Sequence, residues 1–492
     1  QVDYPKESLN DLNQIYTKLK HLPPLVNEIE IEKLKSQLRD CALGNRFLLQ
    51  GGDCAEIFDY CNDIEISNKI KILLQMSLIL IWGLRIPVVR VARMAGQYGK
   101  PRSKPTEIVN GKEYPSYRGD NINSIDLNDR TPDPNKLLLA YFHSATTLNY
   151  VRSSLSNGLA DLRNPEHWNI HNFELLNQIH NDENKSKLQY TNILNQLKNA
   201  LDFMKVIGID DNGNNNEDNE DKYYNITEES DIKEPNSKKP KLINTINNNN
   251  KNNSQISSLE QKINSLSTAE IFMSHEGLLL DYESTLTRQS TTNPNKYYNY
   301  GTHFIWIGAR TAQIDGSHIE YFRGIENPIG IKVGPDTSPE ELIRILDIVD
   351  PNCEIGKVTL ITRFGSEKCE QLLGSYIDKV NNHTVIKRDE QDDSKIVFKR
   401  KHKVVWCCDP MHGNTETIGE DKIKTRKFSN VMKELEISIK IHKQKNNLLN
   451  GIHLELTGDA VTEVIGGTQR LTSNDLKDNY KTFCDPRLNC FQ

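Results

Sequence analysis

Four residues of this chain are of types that hold metal ions: Cys54, His412, Glu455 and Asp485. Each stands at or beyond the C-terminal end of a strand-like apolar run. His412 lies in Asp409-Pro410-Met411-His412-Gly413-Asn414, a turn after the run Val404-Val405-Trp406-Cys407-Cys408, where it can present a ring nitrogen to a ligand. A thiolate, an imidazole and two carboxylates form a mixed donor set that suits Mn²⁺, Fe²⁺, Co²⁺ or Zn²⁺, and that Mg²⁺ would seldom accept. Such a site, with room for a substrate oxygen, serves as a Lewis acid on a carbonyl. The four are far apart in sequence, so spacing alone does not establish them as a set. Six cations fall in comparable places: Arg93, Lys100, Arg102, Arg310, Lys332 and Arg363. Gathering them in one mouth is unfavourable unless anions bind there, and arginine forks match phosphate and carboxylate oxygens. Their number predicts two phosphorylated substrates, or one phosphate plus a carboxylate. Glu283 follows another such run. Singly, each has a plainer reading: a cysteine near a strand is usually packing, a lone histidine a satisfied core or surface group, a strand-end arginine a salt-bridge partner. Their shared placement is what favours function.

The runs that must position these residues are 47–50, 88–91, 277–280, 304–307, 329–332, 358–361, 404–407 and 452–455. Several are continuously apolar, as expected of strands covered on both faces. Helix-like segments lie between several of them. One follows Ser338, a good N-cap with Glu340 and Glu341 in the first turn; others start at Ser366 and span 429–443. Eight strands with intervening helices predict an α/β protein with a (β/α)8 barrel, whose catalytic groups gather at the C-terminal strand ends. A doubly wound open sheet is the alternative, but no G-x-G-x-x-G follows a strand to support it. The chain reads as a single barrel domain over 1–492, with an N-terminal extension over 1–46. An inserted helical layer is expected over 136–206. Residues 208–265 are Asn-rich and can bury little apolar surface, so they read as a disordered insertion. A second polar insertion covers 381–403.

The net charge of −6 argues against nucleic acid as a partner. Nine cysteines in 492 residues are no disulfide framework, and the adjacent Cys407 and Cys408 point to a reducing compartment. The longest apolar run, 70–91, is broken by Lys71, Gln75, Arg85, Pro87 and Arg90, so it reads as a buried helix and strand rather than a membrane span. No targeting segment is visible at the start, and the chain opens on Gln1. The expected place is the cytoplasm, or a plastid after removal of a transit peptide.

Longer motifs surround these residues: Leu48-Leu49-Gln50-Gly51-Gly52-Asp53-Cys54-Ala55-Glu56, Arg93-Met94-Ala95-Gly96-Gln97-Tyr98-Gly99-Lys100-Pro101-Arg102-Ser103, His275-Glu276-Gly277-Leu278-Leu279-Leu280-Asp281-Tyr282-Glu283, Cys408-Asp409-Pro410-Met411-His412-Gly413-Asn414-Thr415 and Cys484-Asp485-Pro486-Arg487-Leu488-Asn489. In these the chain closely resembles the class II, plant-type 3-deoxy-D-arabino-heptulosonate 7-phosphate (DAHP) synthases, from near residue 47 to the end. The resemblance implies a (β/α)8 barrel with extra N-terminal and inserted helices. It implies Cys54, His412, Glu455 and Asp485 as ligands of one divalent ion, Mn²⁺ or Co²⁺ first and Fe²⁺ or Zn²⁺ next. Arg93, Arg310, Lys332 and Arg363 match residues that bind phosphoenolpyruvate. Lys100, Arg102 and Ser103 match the site for erythrose 4-phosphate. Lys100, Arg102, Lys332 and His412 are the residues to which the resemblance gives catalysis. The implied reaction is an aldol-like condensation of the two substrates to DAHP and phosphate, the entry to the shikimate pathway. A homo-oligomer inhibited by an aromatic amino acid is also implied.

The chain departs from that pattern in three places. Ala309 stands where class II members usually carry Glu, and Ala312 where Arg is common. The other sequence class of this enzyme has Gly-Ala-Arg-Thr there, and the Ala309 backbone N–H could still bind phosphate. The Asn-rich insertion is foreign to the pattern. The last residue, Gln492, follows Asp485 closely, so the final barrel helix is expected to be missing, and strand eight to expose apolar surface unless a partner covers it. Two other readings compete: a synthase of a keto-octulosonate, disfavoured by Lys-Pro-Arg-Ser and Asp-Pro-Met-His, and a non-catalytic barrel, disfavoured by the intact ligand set.

Overall fold

The computed structural model describes residues 2–159 and 269–492, apart from Ser103, Asn110, Gly158, residues 390–395 and Asp421, and only scattered positions in 160–268. The Asn-rich segment, most of the expected helical layer after Asn157, and Ser103 therefore lie outside the described residues.

Eight parallel strands close into a barrel: β1 Phe47–Gly52, β2 Val88–Arg93, β3 Phe272–Glu276, β4 Phe304–Ile307, β5 Ile329–Val333, β6 Val358–Thr362, β7 Val405–Cys408 and β8 Gly451–Glu455. The strands neighbour one another in chain order, and β8 pairs with β1 through Leu48↔Gly451 to Gly52↔Glu455. Helices α1 Leu9–His21 and α2 Glu28–Ala42 precede the barrel. Around it run α3 Asp63–Leu84, α4 Asn135–Ser156, α5 Leu280–Leu286, α6 Ser317–Arg323, α7 Pro339–Val349, α8 Cys369–Asn382 and α9 Phe428–Gln444.

The barrel is filled from below by α2. Asn27 caps that helix, accepting the Glu30 N–H at 2.9 Å while the Glu30 carboxylate takes the Asn27 N–H. Leu34, Leu38 and Cys41 then pack among Leu48, Val89, Val91, Phe272, Phe304, Trp306, Ile361, Val405 and Cys407. Gly356 makes this approach possible: its φ is +76°, and a Cβ there would lie 2.5 Å from the Arg39 backbone nitrogen. Side chains two apart on a strand share a face, so the interior changes character along each strand. Val91 gives way to Arg93, Gly330 to Lys332, Cys407 to Asp409 and His453 to Glu455. The apolar layers lie towards the N-terminal ends, and the charged ones form the C-terminal mouth.

The structure corrects two expectations. Strand three is Phe272–Glu276, not 277–280; Leu280 already opens α5. The polar Ser274, His275 and Glu276 hid that strand, while the apolar run beside it is helix entry and loop. Strand eight is not stripped of cover either. No α-helix follows β8 among the described residues, yet Leu454 is buried by Ile72 of α3, Val431 of α9, and Val464 and Leu488 of the segment after β8. That segment returns to the barrel, where Leu456 bridges Leu488 in parallel. The polar stretch 381–403 contains an antiparallel hairpin, Val385–Arg388 with Ile396–Arg400.

Candidate active site

The C-terminal ends of three barrel strands, and the segment that follows the last of them, bring the four candidate ligands together. Cys54 follows β1, His412 lies in the turn after β7, Glu455 ends β8, and Asp485 lies on the returning segment. Donor atoms of Cys54, Glu455 and Asp485 lie within 4.8 Å of one another. His412 Nε2 is 2.9 Å from Glu455 Oε1. Lys100 places its ammonium among them: Nζ is 2.6 Å from Cys54 Sγ, 2.8 Å from Asp485 Oδ2 and 3.8 Å from Glu455 Oε1.

This donor set fits a cation. Asp409 Oδ2 accepts from His412 Nδ1 at 2.7 Å. That bond leaves the Nε2 lone pair facing a carboxylate oxygen, and two acceptors at such a distance need a proton or a cation between them. Asp409 is thus the outer partner that fixes the ring. Its other oxygen accepts the Met411 and His412 backbone N–H groups at 3.0 and 3.2 Å.

The charges here are buried but balanced. Burial opposes ionisation of Glu455, yet His412, Arg426, Lys100 and Arg93 outweigh it and hold the carboxyl well below the usual range. Arg426 Nη2 lies 2.6 Å from its second oxygen. Burial likewise opposes ionisation of Asp485, and Lys100 overcomes it. Lys332 differs: burial lowers its ammonium to about 8, with Asp409 resisting and Arg93 assisting. His453 is kept neutral first by burial, then by Lys332. Its Nε2 accepts from Arg93 Nη1 at 2.7 Å and Lys332 Nζ at 2.8 Å, and its Nδ1 donates to Gln50 Oε1 at 2.8 Å.

The remaining cations spread over the mouth. Arg93 is buried beneath the ligands, donating to Cys54 O and Glu455, with its Nε lacking a partner among the described residues. Arg363 is half-buried and donates to His412 O at 3.3 Å. Arg310 is exposed and Ala309 half-buried in the turn after β4. Arg102 pairs with Glu107 at the base of the hairpin 106–115 and does not reach the ligand cluster. Glu283 is committed to His275, 2.8 Å away, and to Asn299.

Asp409, His453 and Arg426 are site residues that sequence reasoning missed. His453 had a signal, a polar residue two before Glu455 in an otherwise apolar strand. A second missed group ties two ligand loops together. Arg487 Nη1 lies 2.8 Å from Asp53, beside Cys54, and its Nε and Nη2 hold Glu463 at 3.1 and 2.8 Å.

A parallel barrel with thiolate, imidazole and carboxylate groups beside a cationic mouth is an arrangement suited to anionic substrates. The class-II DAHP synthetase family matches the chain over residues 1–230 and 224–492. A phospho-2-dehydro-3-deoxyheptonate aldolase of Neurospora crassa is 44% identical over 99% of this chain and 88% of its own length. Proteins of the same description from Streptomyces coelicolor and Mycolicibacterium smegmatis are 37% and 36% identical, covering 99% and 97% of this chain and 91% and 86% of themselves. The chain belongs to the class-II DAHP synthetase family. Its members join phosphoenolpyruvate to D-erythrose 4-phosphate in the shikimate pathway.

Proposed function

We propose that this chain carries out that condensation with one divalent ion bound by Cys54, His412, Glu455 and Asp485. The observation that carries the proposal is the meeting of Cys54, Glu455 and Asp485 around the Lys100 ammonium at the C-terminal mouth, with His412 against Glu455. When bound, the ion would supply Lewis acidity towards the aldehyde of erythrose 4-phosphate. The donor set admits Mn²⁺, Fe²⁺, Co²⁺ and Zn²⁺, and the family resemblance puts Mn²⁺ or Co²⁺ first.

The chain's own residues hold the substrates. Lys332, Arg363 and Arg310 surround the place for phosphoenolpyruvate, with the Ala309 N–H as a further phosphate donor and Arg93 as the charge beneath it. Lys100, on release from the carboxylates, together with Arg102 and Ser103, serves the second phosphate. Carbon 3 of phosphoenolpyruvate bonds to the aldehyde carbon, whose oxygen takes a proton. Water adds to carbon 2, and the bond from carbon 2 to the phosphate oxygen breaks, giving DAHP and inorganic phosphate. Lys332, near the balance between ammonium and amine, can hold an anion and pass on a proton. Fixed cations around the reacting atoms stabilise charge developing in the transition state.

No helix among the described residues is long and apolar enough to cross a membrane. The cytoplasm, or a plastid, is the proposed place of action. A homo-oligomer is the proposed assembly, supported by exposed apolar side chains such as Ile79 on α3 and Phe142 on α4. An aromatic amino acid is the proposed feedback inhibitor.

The experiment is phosphate release from phosphoenolpyruvate with erythrose 4-phosphate or arabinose 5-phosphate. Metal-dependent turnover with the first, and its loss in His412→Ala, is expected. Preference for arabinose 5-phosphate would replace this reading with that of a keto-octulosonate synthase. Undiminished turnover in His412→Ala would remove His412 from the ligand set.

A further inference from the structure

A second group of donors lies at the other end of the barrel, where the chain enters β6 and β7. Asp347 is in the last turn of α7, His383 directly follows α8, and His402 precedes β7. Asp347 Oδ1 is 2.9 Å from both His383 Nε2 and His402 Nε2. The two imidazoles stack nearly parallel, 6° apart, with centroids separated by 6.0 Å. Cys353 is buried with its Sγ 4.0 Å from His402 Nε2. Its backbone is left-handed, at φ 51°, an uncommon state for a residue other than glycine.

His402 Nδ1 faces Asp350 Oδ2 at 3.4 Å, and Asp350 is itself held by the Glu354 N–H at 2.9 Å. The ring thus stands between two carboxylates, Asp347 at Nε2 and Asp350 at Nδ1, which favour a positive charge there against the cost of burial. A metal cation at Nε2 can supply that charge in place of a proton: the remaining proton sits on Nδ1, and Asp350 accepts it as the outer carboxylate of a carboxylate–histidine–metal triad. Donors around a tetrahedral ion at about 2.0–2.3 Å lie roughly 3.3–3.7 Å apart. The donor atoms of Asp347, His383 and His402 all lie within 4.8 Å of one another, and Asp347 Oδ1 stands 2.9 Å from each ring nitrogen.

We propose that Asp347, His383 and His402 form a structural site for a divalent transition ion of the zinc type, separate from the barrel mouth, with the Cys353 thiol beside His402 turning in as the fourth donor. Two imidazoles, one carboxylate and one thiolate suit such an ion, and binding would release the thiol proton of Cys353. His383 and His402 flank the hairpin of Val385–Arg388 and Ile396–Arg400. The ion would clip the base of that hairpin to the end of α7, fixing the entry into β7, the strand that leads to His412. The side chain of His402 is fully buried while Asp347 is 38% exposed, so the ion has both a closed floor and an entry from solvent.

The test is Co²⁺ binding by the whole chain after chelation, in a Cys54→Ser, His412→Ala background that silences the mouth. One equivalent is expected, with tetrahedral visible bands and a thiolate charge-transfer band, displaced by Zn²⁺. Adding Cys353→Ser should remove the charge-transfer band, and adding His383→Ala should weaken binding at least tenfold and speed proteolysis within the hairpin. No binding in that background, or binding indifferent to His383→Ala, overturns the site. If the background variant does not fold, the unaltered chain answers the same question. It should bind two equivalents, and His383→Ala one, with turnover unchanged. One equivalent in both overturns the proposal, whichever reaction the mouth performs.

Discussion

At the scale of single residues, the role proposed for Lys332 ties turnover to pH. It is buried with its Nζ against Asp409 and His453, and burial brings its ammonium down to about 8. Below that pH the charge is present, and as pH rises through about 8 the free enzyme loses it. The kcat/KM for phosphoenolpyruvate should therefore fall above about pH 8, roughly tenfold for each further unit. The limb in kcat should lie higher, because bound anions favour the ammonium. Lys332→Arg should carry the kcat/KM limb to more alkaline pH, even if its rate is lower. A limb unmoved in that variant would assign the titration to another group. Lys332 was legible in the sequence because it ends an apolar run. Its partners were not. Asp409 could be read as a turn residue and His453 as a strand polar group, and their facing positions follow only from closing β8 onto β1 and β7.

At the scale of elements, α9 shows what burial inside a helix layer implies. His442, near its C-terminal end, packs edge-on against Trp406 of β7, and its Nε2 has no hydrogen-bond partner among the described residues. Burial pushes its pKa down to about 4 from an ordinary 6.5. The unfolded chain therefore binds the extra proton first, and stability is lost as pH falls from about 6.5 through about 4, then levels off. Between pH 7 and pH 5 the loss is about 2 kcal/mol. His442→Gln should flatten the denaturant midpoint over that interval by this amount relative to the parent. An equal slope in both proteins would mean that the ring is charged or open to water in the fold. The helix itself was legible, since 429–443 repeats its apolar residues at helical spacing, and the structure gives Phe428–Gln444. Strand three was not, because Phe272–Glu276 ends in three polar residues, of which Ser274 meets Gln50 of β1 and His275 meets Glu283 of α5. The period of the apolar pattern reports elements covered on both faces, and it fails where a strand carries the site.

At the scale of the whole molecule, the barrel was legible from the recurrence of apolar runs, but its closure at β8 was not. A segment without an α-helix covers β8, and it does so through Leu488, Val464 and the Arg487 ion pairs rather than through any periodic pattern. The same reasoning bears on the long connection between α4 and β3. Leu159, where the described chain leaves, and Ala269, near where it resumes, both pack on the core cluster that contains Leu137, Tyr141 and Met273. The connection therefore starts and ends on one body, and its middle, Asn-rich by composition, has little apolar surface to add to that body. Deleting residues 210–260 should leave a cooperatively folding, active synthase. Halving a connection changes its closure entropy by only about 0.6 kcal/mol, in favour of the shorter chain. The measurement is a denaturant midpoint together with phosphate release from phosphoenolpyruvate and erythrose 4-phosphate. A product that is unfolded, or folded but inactive, would show that the deleted residues pack on the barrel or complete its mouth.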